Sequence, residues 1–574
     1  MARRPSSPHV LAVARGDAPA DLLLRGGRVL SPSTREWIET DLAVADGMVA
    51  GWGRREAIEE VDLAGAAVTA GFVDAHMHLE STKLWVDEFV RSVLPLGTTA
   101  VAADPHELAN VFGIRGVAAL IASAALLPFT FGVTASSCVP ASPFESPGAE
   151  LWAADLAELL EQHQAIGVAE VMNFPGVIAG DPEMLSRIAT AGHRRVDGHA
   201  PGVTGAQLDA YLAAGVESDH ECTELAEAQE KRRKGMWIFV RQGSASQNLH
   251  DLIPIVLQSG TDHVALCSDD REPDTLREDG HMNHCVRLAI AEGVSEIDAL
   301  VLATINPAEY HGFTELGALG PGYQADILCF DTLAGVRPTA VYQRGQLVAR
   351  DGMALPGAVP DAPAPTFMRR SVHLAVPPAP AAFDIGAVPG RRVRTIGVRD
   401  GSLTTASLVT DPSDPSAEVA RLAVVERHRE TGRIGLGWVH GFGLTRGALA
   451  STVGHDAHNC MALGAAGPDG PIAMAAAVAR LAEIGGGQVV VDDDGAVMAE
   501  LALPIGGLMS DQRADVVVDG LHRLVDAARH LGTTLNAPFM HMSFLGLSVI
   551  PDLRLTDQGL VDVGRFELVP VALD

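Results

Sequence analysis

His76 and His78 stand two residues apart at the end of the short apolar run FVDAH. In an extended strand that spacing sends both side chains to one face, so the two imidazoles can share one ion. Four further residues of metal-ligand type lie at or near the ends of similar runs: Glu170 in IGVAEVM, His199 in RRVDGH, His220 in GVESDH and Asp269 in HVALCSD. Four imidazoles and two carboxylates are more donors than one four- or five-coordinate ion can use, and a carboxylate bridges two ions where a neutral imidazole cannot. The residues therefore predict two adjacent divalent ions. Nitrogen and oxygen donors without thiolate admit Mn2+, Fe2+ or Zn2+ and do not choose among them. The chemistry such a pair supports is hydrolysis by a metal-activated water. The alternative is that each residue has a separate core or capping role.

The elements that must position these residues are short strands alternating with helical stretches. Apolar runs at 72–76, 98–104, 129–135, 166–172, 194–199, 215–220, 236–242 and 263–269 read as eight strands. Segments such as LWVDEFVRSVLPLG repeat apolar residues every three or four positions, as amphipathic helices do. Eight such units over about 240 residues predict a (β/α)8 barrel of the TIM type, whose chemistry gathers at the C-terminal ends of its strands. A doubly wound open sheet is the structural alternative. Alternating runs at 21–70 and again at 316–352 predict β-hairpins that pair into one small flanking β-domain. The expected organisation is thus 1–71 and 316–354 for that domain, 72–315 for the barrel, a Pro/Ala-rich extended connection at 355–383, and an additional α+β domain at 384–574.

Composition narrows the partners. A formal charge of -30 repels phosphate backbones and anionic lipid, which excludes nucleic acid and membrane surfaces and favours a neutral or cationic small molecule. No apolar run is long enough to cross a bilayer. The N-terminus begins with basic residues but carries only Val10 to Ala14 as an apolar stretch before Arg15, so export is not expected. Six scattered cysteines without C-x-x-C spacing fit reduced thiols in a cytoplasm. A homo-oligomer, taken as a dimer, is the expected assembly.

The ligand pattern resembles that of the amidohydrolase superfamily, with H-x-H after strand one, Lys or Glu after strand four, His after strands five and six, and Asp after strand eight. Many binuclear members bridge their metals with a carboxylated lysine, but no lysine occurs here between Lys83 and Lys231. The resemblance therefore implies Glu170 as the bridge. Within the superfamily the strings HMHLEST, VAEVMNFPGV, DGHAPGV, ESDHECT, CSDDREPDTL and NPAEYHGF are similar to the adenine deaminase branch. So are GFGLTRGALASTVGHDAHN, LPIGGLMSD and MSFLGLSVIPDLRLTDQGLVDV beyond the barrel, so the likeness spans nearly the whole chain. The pattern departs mildly: HMHLEST stands where HIHLESS is usual, and GHDAHN where AHDSHN is usual. Deaminases of the small zinc fold are excluded, since they need H-x-E followed by P-C-x-x-C and the second half is absent.

The resemblance implies hydrolysis of adenine to hypoxanthine and ammonia in purine salvage, with Mn2+ or Fe2+ the expected metals and Zn2+ admitted. Ring opening of a hydantoin-, dihydropyrimidine- or lactam-like substrate, or deamination of a related purine, is the alternative. A non-catalytic barrel is disfavoured by the intact ligand set. Asp269 is expected to move the proton from water to the leaving amine, and Glu80 to hold the proton of a ring nitrogen or else cap or pair within its loop. His106 is expected to bind substrate or cap the helix that follows. The HDAHN run, with His455, Asp456, His458 and Asn459, is read as a lid on the purine, an additional metal site, or local structure. Cys222 and Cys267 adjoin ligand segments and are expected to be packed.

Overall fold

The computed structural model describes residues 6–385, 390–402 and 404–573; the basic start Met1–Arg4 lies outside the described residues. Strands Phe72–Met77, Thr98–Ala103 and Gly167–Val171 are buried throughout, which is why they read as continuous apolar runs rather than alternating ones. All pairings among the barrel strands are parallel. One sheet joins Phe72–Met77, Thr98–Ala103 and Thr130–Val133; a second, six-stranded sheet runs from Ala135–Ser136 through Gly167–Val171, Arg195–Gly198, Ser218–Asp219 and Trp237–Arg241 to Val264–Cys267.

The two sheets meet at both ends. At one end Thr130–Ser136 is a single extended segment that leaves the first sheet and enters the second around Thr134, whose N–H donates to Ala103 at 3.0 Å. At the other end Met77 and Asp269 form a parallel bridge, with the Asp269 N–H donating to the His76 carbonyl at 3.0 Å. The ring of eight strands is thereby completed, through a bridge at this end rather than a full ladder. Helices pack outside it. In Val86–Val93, for example, Val86, Phe89, Val90 and Val93 are buried, one stripe of a 3.6-residue period.

The flanking β-domain is a nine-stranded sheet in which Ala67–Ala70, from before the barrel, pairs antiparallel with Ile327–Phe330, from after it. The helix Pro8–Arg15 packs on this sheet, capped by Ser7, whose hydroxyl accepts the Val10 N–H at 3.2 Å, and ended by left-handed Gly16.

The C-terminal region holds an eight-stranded sheet and a three-stranded one. The hairpin Gly487–Val491 with Val497–Ala502 is antiparallel, and helix Gly470–Ile484 packs Ala473, Ala477, Val478 and Leu481 against Ala450, Cys460, Ala462 and Val489. The connection at 355–383 is more than a spacer. It buries Ala362, Met368 and Phe383, and its Ala362 carbonyl accepts the Trp85 indole N–H at 2.7 Å, so it is pinned to the barrel. All six cysteines are unpaired and buried. Among the described residues no helix is long and apolar enough to cross a membrane.

Candidate active site

The six residues proposed as ligands converge at the C-terminal mouth of the barrel, each at most 5% exposed. Glu170 lies at the centre. Its Oε1 is 3.1 Å from His76 Nε2 and 3.0 Å from His78 Nε2, while Oε2 is 2.7 Å from His199 Nδ1 and 3.3 Å from His220 Nε2. One carboxylate thus offers a different oxygen to each of two imidazole pairs. Asp269 completes the first group, its Oδ1 lying 3.4 Å from His78 Nε2.

Separations of this size between donor atoms are those of ligands sharing an ion at bonds of about 2.0–2.2 Å. The sets His76–His78–Asp269 and His76–Glu170–His220 each gather their ligand atoms within 4.8 Å. His78 is oriented for such a role, because its Nδ1–H donates to the Asp104 carbonyl at 3.0 Å and leaves the Nε2 lone pair facing the centre. The residues present fit a pair of divalent ions.

The electrostatics agree. Burial would push the Glu170 carboxyl up, but His220 and His76 beside it and hydrogen bonds from His199 and His220 hold it well below the usual carboxylate range. Burial is likewise outweighed at Asp269 by the Arg241 guanidinium and His78, so that carboxyl also stays ionised. The centre keeps its negative charge for cations.

His106 and the HDAHN run, far apart in sequence, meet above this centre. The His106 ring packs edge-on to His78 with centroids 4.6 Å apart; its Nδ1 lies 3.1 Å from Asp104 Oδ2 and its Nε2 3.5 Å from Asp456 Oδ1. His106 also begins the helix His106–Phe112. His455 stacks on Phe544 at 4.3 Å, and the cavity over these six residues is walled by His106, His455, Asp456, Phe544, Leu547 and Ile550 among others. His458 points elsewhere, its Nε2 lying 3.5 Å from Glu107. Cys222 and Cys267 are packed in the core.

Glu80 does not line this cavity. A 3-10 turn at Glu80–Thr82 carries its side chain under the next loop, where Oε1 accepts the Leu108 N–H at 2.9 Å and so caps the helix His106–Phe112. Burial and the neighbouring Glu107 push its pKa up to about 7. The capping alternative is the one this geometry supports. Glu80→Gln, which keeps an acceptor for Leu108, should retain activity within about threefold, whereas Glu80→Ala should lower stability by about 1–2 kcal/mol. Steady-state rates and urea melts check both; a loss of roughly 100-fold in the folded Gln variant would return the proton-carrying role to Glu80.

Several residues of the site carry no local sequence signal. Arg241, at the end of Trp237–Arg241, and Glu221, beside His220, form a buried ion pair in the cavity wall. Asp104 holds both His78 and His106. Phe544, Leu547 and Ile550 join Cys138 and Met172 in one apolar cluster that roofs the mouth. The string MSFLGLSVI contains that roof, but nothing in its spacing points to the barrel earlier in the chain.

Comparison with known proteins agrees with this architecture. Residues 67–354 match the model of the amidohydrolase family, and residues 392–567 that of the adenine deaminase C-terminal domain. The adenine deaminase of Desulfatibacillum aliphaticivorans is 43% identical over 98% of this chain and 99% of its own length. Those of Methanothrix thermoacetophila and, as adenine deaminase 2, of Carboxydothermus hydrogenoformans are each 41% identical over 98% of this chain and 99% of theirs. With a family match across the barrel, a second across the C-terminal domain and relatives alike from end to end, the chain belongs to the adenine deaminase family of the amidohydrolases.

Proposed function

We propose that this protein hydrolyses adenine to hypoxanthine and ammonia, with His76, His78, Glu170, His199, His220 and Asp269 holding two divalent ions. The observation that carries the reading is the division of the Glu170 carboxylate between two imidazole pairs, which is the arrangement a bridging ligand needs. Mn2+ or Fe2+ fits the nitrogen and oxygen donors, as does Zn2+. When bound, such a pair supplies a water that ionises near neutral pH and positive charge at the reacting centre.

The protein's own groups do the rest. Water adds across the C6–N1 double bond of the purine and the exocyclic amine leaves as ammonia, so one of the water's protons must reach N1 and the other must travel to that amine. Asp269 Oδ1 faces the centre and is placed to take and return it. Among the polar groups of the cavity, His106 and Asp456 are the pair we assign to the purine, and the stacked His455–Phe544 pair offers it a flat wall. The apolar roof keeps bulk water from the centre, where each charge then acts through a lower dielectric.

The direct test is ammonia release from adenine by metal-loaded protein, run beside dihydropyrimidine and hydantoin ring opening. Ring opening without adenine turnover would overturn the reading. For the cover, Ala at both His455 and Asp456 should raise KM or lower kcat, together on the order of 10-fold or more in kcat/KM, with the metal content of the barrel unchanged. Parent-like kinetics, or a loss explained by a lowered melting temperature, would make the HDAHN run structural.

A further inference from the structure

Asp269 is held at more points than a ligand needs. Its backbone sits at φ +54°, in the left-handed region; its N–H donates to the His76 carbonyl at 3.0 Å and its own carbonyl accepts the His78 N–H at 3.4 Å. Such a backbone persists only where the surroundings determine it. The side chain is divided as well. Oδ1 faces His78, whereas Oδ2 accepts a hydrogen bond from Arg241 Nη1 at 2.8 Å.

Arg241 is fixed in turn. It is 4% exposed; its Nε donates to Asn248 Oδ1 at 3.0 Å, its Nη2 to Glu221 Oε2 at 2.9 Å, and its Nη1 also to Glu221 Oε1. Glu221 Oε1 lies 3.6 Å from both His199 and His220, in the imidazole group opposite the one Asp269 serves. The planar guanidinium therefore spans the centre and touches an acid on each side.

We propose that Arg241 is a positioning residue: by occupying Asp269 Oδ2 it leaves Oδ1 as the single oxygen turned to the metal and the reacting water, and by pairing with Glu221 it keeps that carboxylate from competing as a ligand. A carboxylate free at both oxygens can chelate one ion, and its lone pair for the proton is then lost. Lysine cannot replace this arrangement, because a compact ammonium lacks the planar fork that reaches Asn248, Glu221 and Asp269 together. The inference rests on Asp269 being a ligand and proton carrier, as proposed above.

The test is Arg241→Lys, with Asn248→Ala as a milder variant that removes only the Nε anchor should the first not fold. In metal-loaded enzyme Arg241→Lys should lower kcat by roughly 10- to 100-fold with KM within about threefold. In the background of Asp269→Asn the same change should cost little more, since the oxygen it positions no longer carries a proton. A second readout is independent of substrate: in the Co2+-substituted protein the visible absorption should change in band position or intensity, reporting altered carboxylate coordination. An unchanged spectrum, or losses that simply multiply in the double variant, would overturn the positioning role. A changed spectrum without adenine turnover in the parent would leave the role standing and sink the substrate reading instead.

Discussion

Glu170→Gln should reduce the metal held after desalting from two ions per chain to one or none, and adenine turnover should fall by at least about 10²-fold, beyond the 10–100-fold typical of losing an outer partner of a ligand. The reason lies in the charge and symmetry of the group. A carboxylate has two equivalent oxygens, here facing His76 and His78 on one side and His199 and His220 on the other. An amide offers one oxygen and, in its place on the other side, an NH2 that points protons at imidazole lone pairs. It also removes the one negative charge shared by both groups, leaving two cations about as close with less to hold them. Elemental analysis of parent and variant, equilibrated with the same metal, decides the matter. Two ions retained in the variant would rule out a bridging role.

The second large effect is expected at Asp269→Asn. The shape is kept, and the amide can still turn its one oxygen to the Oδ1 position beside His78, while the four imidazoles and Glu170 are untouched, so the fold and much of the metal should remain. What is lost is the proton acceptor, with turnover falling by roughly 10²–10⁴-fold, the usual contribution of a placed acid–base group. Pre-steady-state ammonia release, measured with a metal assay on the same sample, separates this from loss of a ligand. If turnover falls only in proportion to metal, Asp269 serves as ligand alone; near-normal turnover moves the proton transfer to another group.

Glu170 and Asp269 are both legible in the sequence alone. Strands of a closed parallel barrel are buried on both faces, so they show as short unbroken apolar runs, and a polar metal-type residue at the end of such a run stands out. Glu170 inside GVAEV and Asp269 after VALC are cases of this kind. The ring then brings together side chains up to 193 residues apart, from His76 to Asp269, without any of their neighbours having encoded the contact.

What only the tertiary structure decided is which way the remaining polar side chains turn and what they meet. Two residues past His78, Glu80 has the spacing to face the mouth as well as its capping place; the turn at Glu80–Thr82 sends it to the Leu108 N–H. Arg241 ends a strand as an ordinary charged residue would, and its work follows from Glu221 and Asp269 closing on it from either side. Asp456 reaches His106 across 350 positions of chain, and Phe544 roofs a barrel to which it has no sequence relation. Periodicity reports whether a residue is buried, because burial is set by the element's own geometry; it does not report the partner, because a partner on another element is chosen by the packing of the whole chain.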